Sequence, residues 1–428
     1  MCLPRSAWRT ELEGAALAEG TDAARPPEMM LRDQLVEAAR ALRPRLREQQ
    51  ASSDKLGRVS DEMHAAFAEA GFYKIMTPRM FGGFELEPRV FLEVVMEIAR
   101  GHPAAAWCFT LAGSHAYFMA SHWPEQAQRE LFGADGDFRA AHVVGPCGTM
   151  TPAEGGYLVS GVWPFASGIP ISTHFIGGSL IFAENGPPRP VFFIVPRSEV
   201  EILPDWGEDR FMGMRASGSN SVRLENAFVP HHLIVGQEMM LSHASTGGTP
   251  GTALHGNPLY LGVAVGWFHC EFGAILSGTA QAALDAFETL IRERDMLGQP
   301  GVKRIHDPFV QNLWGLSLGL AQSARALTLS AIELYQEQCR RAVRDSQPIT
   351  PAQTFEVWGL AREACQMACR CVEGLFHAAG ASAGRRDNQL QRYFRDIEMY
   401  RLHIQNQPIL PTARGRAALG LPPDVLGS

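Results

Sequence analysis

Two changes of hydrophobic period divide this 428-residue sequence, and together they leave few folds open. Between residues 27 and 137 apolar side chains recur at helical steps. Leu31, Leu35, Ala39, Leu42 and Leu46 fall three and four apart, which places them on one helix face. From 138 to 240 the pattern becomes short apolar runs cut by glycine and proline. Tyr157, Val159, Gly161, Trp163 and Phe165 alternate with their neighbours, and Phe175–Phe182, Val191–Val195 and Ser221–Val229 are further strand candidates. From 241 to 428 helical periodicity returns, in long stretches over about 259–296, 306–345, 351–379 and 389–406. Four long helices with short joins are what an antiparallel bundle requires. The expectation is an α+β fold, mostly α: a helical domain, a small β-sandwich or barrel, then a four-helix bundle.

Local signals support these divisions. Ser60 stands where an N-cap is needed, ahead of Met63, Ala66, Phe67 and Ala70, and Gly71 follows as a stop. Asp307 and Pro308 suit the cap and first turn of a bundle helix. Pro44 should kink or end the first helix, because it lacks the N–H that the interior needs. Residues 1–26 are rich in Ala, Gly, Glu and Pro and read as a flexible leader without the apolar core of a secretion signal.

Composition narrows the function. A net charge of −7 offers no general attraction to nucleic acid or an anionic membrane. The most apolar stretch, Leu259 to Ile275, is interrupted by His269 and Glu271 and is shorter than the roughly 20 residues of a membrane span. Eight cysteines are too few for a disulfide framework in a chain this long. Cys365, Cys369 and Cys371 cluster, but no second pair has zinc-ligand spacing, so they read as reduced core residues of a cytoplasmic protein. No Gly-x-Gly-x-x-Gly follows a strand, so a nicotinamide site within the chain is not expected.

Four blocks occur in a fixed order: Pro78-Arg79-Met80-Phe81-Gly82-Gly83-Phe84-Glu85; Gly155 through Trp163-Pro164-Phe165-Ala166-Ser167-Gly168; Gly213-Met214-Arg215-Ala216-Ser217-Gly218-Ser219-Asn220; and Arg392-Tyr393-Phe394-Arg395-Asp396. In this order they resemble the acyl-CoA dehydrogenase superfamily, and within it the two-component monooxygenases that hydroxylate phenols and related compounds with reduced flavin. The resemblance covers nearly everything after residue 30. It implies diffusible reduced FMN or FAD from a separate NAD(P)H:flavin reductase, molecular oxygen as co-substrate, a C4a-hydroperoxyflavin, and a homotetramer.

The resemblance also assigns residues. Trp163, Phe165, Ala166, Ser167 and Gly168 would lie against the flavin, with Ser167 bonding a ring nitrogen; the alternative is that Ser167 only satisfies its turn. Dehydrogenases of the superfamily place a catalytic glutamate eight residues after the aspartate of the last helix, which here is Ile404, with His403 beside it. Isoleucine accepts no proton. An imidazole at 403 fits the hydroxylase branch, and its ordinary pKa of about 6.5 suits proton transfer near neutrality. His115 matches a histidine that holds a substrate hydroxyl, though it serves equally well as a core histidine. Arg294 resembles an arginine that reaches the flavin diphosphate of a neighbouring subunit. His377 and Gly380 stand in the turn before the last helix, where alanines replace family glycines and leave FMN and FAD both open. Trp107, Phe109, Tyr117, Phe268 and Trp314 are candidates for pocket walls or core. His122, His174, His231 and His232 read as structural or exposed, and no metal site is expected.

Two other functions compete with hydroxylation. One is an acyl-CoA or carrier-bound thioester dehydrogenase or oxidase using Glu271, one turn from Phe268 on the bundle's first helix, as a displaced base. The other is a non-catalytic scaffold or flavin-binding homologue, against which stands the joint presence of Ser167, Arg294 and His403.

Overall fold

The computed structural model describes residues 27–182, 186–207, 209–237 and 248–422. The expected leader and the start of the Gly- and Thr-rich connection after the strands lie outside the described residues. Helix α1 (Pro27–Leu56) begins the helical part, followed by α2 (Asp61–Glu69), α3 (Pro88–Gly101), α4 (Pro103–Gly113), α5 (His115–His122) and α6 (Glu125–Phe132). Ser60 caps α2 by accepting from the Met63 N–H. Pro44 does not end α1, which runs unbroken through it. Packing outweighs the missing hydrogen bond here: Leu35, Ala39 and Leu46 are buried on both sides of the proline, and α1 lies along α3.

Seven strands follow: β1 (Ala140–Ala153), β2 (Gly156–Trp163), β3 (His174–Ile181), β4 (Arg189–Pro196), β5 (Glu201–Ile202), β6 (Val222–Pro230) and β7 (Ile234–Gly236). They form one mixed sheet in the order β5-β6-β2-β1-β3-β4-β7, with only β1 and β3 parallel. Register shifts between Val143 and Gly148 mark bulges in β1, which bend a strand and increase its twist. Strands β4 and β6, far apart in the ladder, also touch, so the sheet is rolled on itself as a small barrel-like unit. Trp163 fills its interior against Phe175 and Phe193.

After the short α7 (Pro250–His255) come the long helices α8 (Ala264–Glu293), α9 (Pro308–Asp345) and α10 (Pro351–Ala378), then α11 (Gln389–Arg401). Asp307 caps α9 through the Phe309 N–H, as its position in the sequence predicts. A hairpin of β8 (Asp295–Met296) and β9 (Gln299–Lys303) replaces the expected helical end of the first bundle segment. A further helix beyond the four expected stretches, α12 (Ile409–Ala418), packs on α10. Its Leu410 and Ala413 bury against Val265, Phe355 and Trp358.

The final helix is tied into both preceding parts. Arg392 of α11 is buried and donates to Asp54 Oδ2 at 3.0 Å and to Gln50 Oε1 at 2.8 Å, both on α1. Asp396 Oδ1 accepts from the Met214 N–H at 2.6 Å. A Cβ on Gly213 would stand 2.2 Å from the Arg395 carbonyl oxygen, so only glycine allows this approach. These contacts anchor α11 to α1 and to the turn before β6.

Candidate active site

The site forms where three separate stretches meet: the turn after β2, helix α4 with α5, and α8 with the end of α11. Phe165 adopts φ 59°, unusual for a non-glycine residue, and its ring is 58% exposed beside Trp206 and Phe211. The Ala166 N–H donates to Asn220 O at 3.0 Å. Gly168 has φ 81°, and a Cβ there would lie 2.8 Å from the Cys108 carbonyl oxygen. The turn is thus pressed onto α4 at a point where a side chain does not fit.

Ser167 emerges from this turn into a chain of hydroxyls. Its Oγ accepts from the Trp107 indole N–H at 3.2 Å and lies 2.7 Å from Ser219 Oγ, which lies 2.6 Å from Ser217 Oγ. Trp107 in turn stacks on Phe272 at 4.9 Å and meets the His403 ring edge-on at 5.8 Å. Phe272 is 4.8 Å from the same imidazole. Ser167 and His403, 236 positions apart in the sequence, are therefore joined through one tryptophan.

His403 does not lie on the final helix. The helix ends at Arg401, and His403 occupies the turn beyond it, where its N–H donates to Tyr400 O at 2.9 Å. Enclosure by the aromatic rings pulls its pKa down to about 4, so the imidazole is neutral at pH 7. The ordinary value near 6.5 assumed for it in the sequence does not apply. Ile404 turns outward and is 64% exposed.

One turn earlier on α8 lies a second aromatic group. Phe268 meets the His115 ring at 5.6 Å and Phe118 at 5.6 Å. His115 Nδ1 lies 2.6 Å from Leu111 O and 2.7 Å from Ala140 O. Burial lowers its pKa to about 4. His142, on β1, joins this group with its ring 5.0 Å from that of His115. Nothing in the sequence separated His142 from an ordinary strand residue.

Several expectations need correction. Trp163 offers no side-chain face to a cofactor: it is fully buried in the sheet and its indole N–H donates to Gly178 O at 2.7 Å. Ala166 is likewise buried, so it acts through its backbone. The Tyr117 hydroxyl is engaged by the Leu259 carbonyl and, at 2.8 Å, by Tyr335, which makes Tyr117 part of the core rather than a substrate contact. Phe109 packs among Phe67, Phe72, Tyr73 and Phe91, and Trp314 stacks on Phe287. Arg294, His377 and Gly380 form a separate exposed group: Arg294 contacts Ser382 Oγ, and nothing lies within 4 Å of a Cβ built on Gly380.

Glu271 is enclosed between α8 and Ser114, and its Oε1 has no hydrogen-bond partner. Desolvation raises its pKa well above the ordinary carboxyl value, against a smaller lowering by Ser114, and so favours the protonated form. Cys365, Cys369 and Cys371 are buried with their thiols pushed up by desolvation, and no group of three potential metal ligands occurs among the described residues. His122 Nε2 donates to Gly262 O, and His232 pairs with Glu130, in structural or exposed settings. No helix among the described residues is long and apolar enough to cross a membrane.

An exposed aromatic shelf beside a hydroxyl chain, with a glycine turn closing one side, fits a flat heteroatom-bearing ring such as a flavin. The chain belongs to the acyl-CoA dehydrogenase family, whose N-terminal domain matches residues 27–133 and whose C-terminal domain matches residues 271–408. Within that family its relatives are flavin-dependent monooxygenases. It is 28% identical to the flavin-dependent monooxygenase oxygenase subunit HsaA of Rhodococcus jostii, over 86% of this chain and 93% of that one. The crystal structure of 3-HSA hydroxylase from Rhodococcus sp. RHA1 superposes with a TM-score of 0.80 at 25% identity, covering 91% of this chain and 97% of that one. XiaF from Streptomyces sp., solved with FADH2 and glycerol, shares the fold with a TM-score of 0.83 at 22% identity, over 94% and 98% of the two chains.

Proposed function

We propose that this protein is the oxygenase component of a two-component monooxygenase, hydroxylating an aromatic or natural-product-like small molecule with reduced flavin from a separate NAD(P)H:flavin reductase. The observation that carries this is the assembly of Ser167, Trp107 and His403 around Phe272, with isoleucine turned to solvent at the position where a dehydrogenase has its base. Bound reduced FMN or FAD would supply two electrons and activate oxygen. Phe165, the Ala166 backbone, Ser167 and Gly168 would hold its ring.

Each residue then has a definable task. Ser167 Oγ already accepts from Trp107, which leaves its hydrogen for Ser219 or a bound acceptor and its second lone pair for a ring N–H. The apolar walls of Trp107 and Phe272 exclude water from that position. His403, kept neutral by burial, can accept a hydrogen bond from a substrate hydroxyl without competing as a cation. His115 and Phe268 would take the far side of the substrate. Glu271 is a weak candidate for a thioester-dehydrogenase base, because burial disfavours its charged form.

Arg294, His377 and Gly380 lie together at the surface and would meet flavin phosphates only beside another copy of the chain. Phe309 and Leu316 on α9 are 87% and 62% exposed, an apolar face suited to association into a homotetramer. The seven described cysteines are unpaired, which fits a reducing cytoplasm.

Rapid mixing tests the proposal. Protein and reduced FMN or FAD are combined anaerobically and then exposed to oxygen. A transient near-ultraviolet flavin absorbance distinct from free oxidised flavin is expected. Immediate appearance of oxidised flavin with both flavins, with and without a panel of phenols, would overturn the proposal.

A further inference from the structure

We infer that Asp396 is a positioning residue: through the loop 213–220 it sets the turn 165–168 that would face the flavin. The inference rests on the monooxygenase function proposed above and extends it to a residue outside the site.

The starting point is a carboxyl group with too few partners. Asp396 is 2% exposed, yet its Oδ2 has no hydrogen-bond partner. The two arginines nearest to it on α11 are engaged elsewhere. Arg392 donates to Asp54 and Gln50, and Arg395 donates to Gln391 Oε1 at 2.7 Å and to the Met212 carbonyl. What Asp396 does hold is one backbone N–H, that of Met214, at 2.6 Å. A buried carboxyl in this setting costs stability, and an asparagine would make the same bond without a charge to bury. The consequence lies in what hangs from Met214.

Met214 begins a continuous path to the site. It has φ 51°, a left-handed conformation that a non-glycine residue keeps only when its surroundings hold it. Its carbonyl accepts from the Ser217 N–H at 3.0 Å. The Ser217 and Gly218 carbonyls both accept from the Gly168 N–H, at 3.0 and 3.1 Å, and Asn220 O takes the Ala166 N–H. The Ser217 hydroxyl leads through Ser219 to Ser167 over 2.6 and 2.7 Å. Loop and turn are thus joined by backbone and side chain alike. A second tie runs from the Gly218 N–H to Gly57 O, which leaves the Met214 end to Asp396. Without the acceptor at 396, Met214 is free to leave the left-handed region and to shift the residues that meet Ser167.

Charge strengthens the tie. Burial and the neighbouring Asp54 push the Asp396 carboxyl up to about 7, against the Met214 N–H, Arg395 and Arg392. Tyr393 on α11, Arg215 in the loop and His102 between α3 and α4 also act on this group or on its arginines. A carboxylate accepts a stronger hydrogen bond than the neutral acid, so the loop is held more firmly above pH 7 than below it.

Amide hydrogen exchange of the flavin-free protein, read by mass spectrometry, tests the coupling directly. Peptides over 164–169 and 213–220 are followed in wild type, Asp396→Asn and Asp396→Ala, with α9 and α10 as references. At pH 8, Asp396→Ala should speed exchange in both segments about tenfold or more and leave the references within about twofold. Asp396→Asn, which keeps a neutral acceptor, should speed both by about threefold. Wild-type protection, corrected for intrinsic exchange, should rise from pH 6 to pH 8 and stay flat in the asparagine variant. Reduced-FMN affinity, measured by anaerobic equilibrium dialysis, should fall in the same order. Loosening confined to 213–220, equal loosening of α9 and α10, or wild-type protection of 164–169 in whichever variant folds overturns the inference. So does a pH profile shared by wild type and the asparagine variant. If wild type binds neither reduced FMN nor reduced FAD, the monooxygenase function fails, and the exchange result still decides the coupling.

Discussion

The indole N–H of Trp107 donates to Ser167 Oγ at 3.2 Å, and the same ring lies edge-on to His403 at 5.8 Å. One side chain from α4 thereby contacts both the hydroxyl in the turn after β2 and the imidazole beyond α11. This tryptophan therefore sets the spacing between the hydroxyl and the imidazole.

Removing the hydroxyl should uncouple oxygen use from hydroxylation. Ser167→Ala leaves the Trp107 N–H without its acceptor and a flavin ring nitrogen without its partner. Hydrogen peroxide released per reduced flavin oxidised should rise severalfold, and the oxygen-derived flavin signal should decay about tenfold faster or more. Peroxide assay and stopped-flow absorbance check this; a variant with unchanged peroxide yield contradicts the role given to Ser167.

Exchanging the two candidate bases separates oxygenase from dehydrogenase chemistry. His403→Ala should lower hydroxylation about a hundredfold, within the usual range for a lost proton-transfer group. Glu271→Gln, which mimics the protonated carboxyl, should stay within about threefold of wild type. Single-turnover product formation measures both, and the opposite ranking would favour a thioester dehydrogenase.

The turn itself should not tolerate a methyl group. Gly168→Ala places a Cβ 2.8 Å from the Cys108 carbonyl in a left-handed conformation. A loss on the order of 2 kcal/mol is expected from backbone strain and displacement of α4. Chemical denaturation followed by tryptophan fluorescence reads it, alongside weaker reduced-flavin binding.

Acid should weaken the fold below about pH 6.5. Burial lowers His102 to about 3 and His115 and His122 to about 4, so each stays neutral in the native state while its unfolded counterpart takes up a proton. The unfolded chain then binds more protons, and stability falls as pH drops from 6.5 towards 4, by an upper figure of about 3 kcal/mol per histidine. Asp54, Glu271 and Asp396 oppose this, because burial raises their pKa values and the native state holds their protons. His142, His174 and His403 add to the histidine side, so the net slope remains destabilising. Unfolding midpoints should decrease as pH is lowered from about 6.5 to about 4.5; a flat profile over that range would contradict the buried, neutral state of these rings.

Periodicity made the architecture legible, since long amphipathic stretches and alternating runs report directly on what each element buries. Ser60 and Asp307 revealed helix starts because capping chemistry is local. What failed was non-local or outweighed by packing. Pro44 is carried through α1 by the burial on either side of it, whereas Pro411 in α12 lies in the first turn, where its missing N–H costs no helical hydrogen bond. At the site, Ser167 and His403 were visible through the order of motifs, and the structure joins them. Trp163 and Tyr117 were misplaced because strand alternation and helix spacing indicate a buried face without indicating what lies across it.

The outward orientation of Ile404 bears on ancestry as well as chemistry. If the lost glutamate had left a buried vacancy, one codon change could return the chain to dehydrogenation. Here α11 stops at Arg401 and the following turn carries residue 404 into solvent, so Ile404→Glu would place a carboxylate in water. Reversal would require lengthening the helix and displacing His403 from between Trp107 and Phe272. The end of one helix thus decides which residue meets the aromatic rings and which meets water.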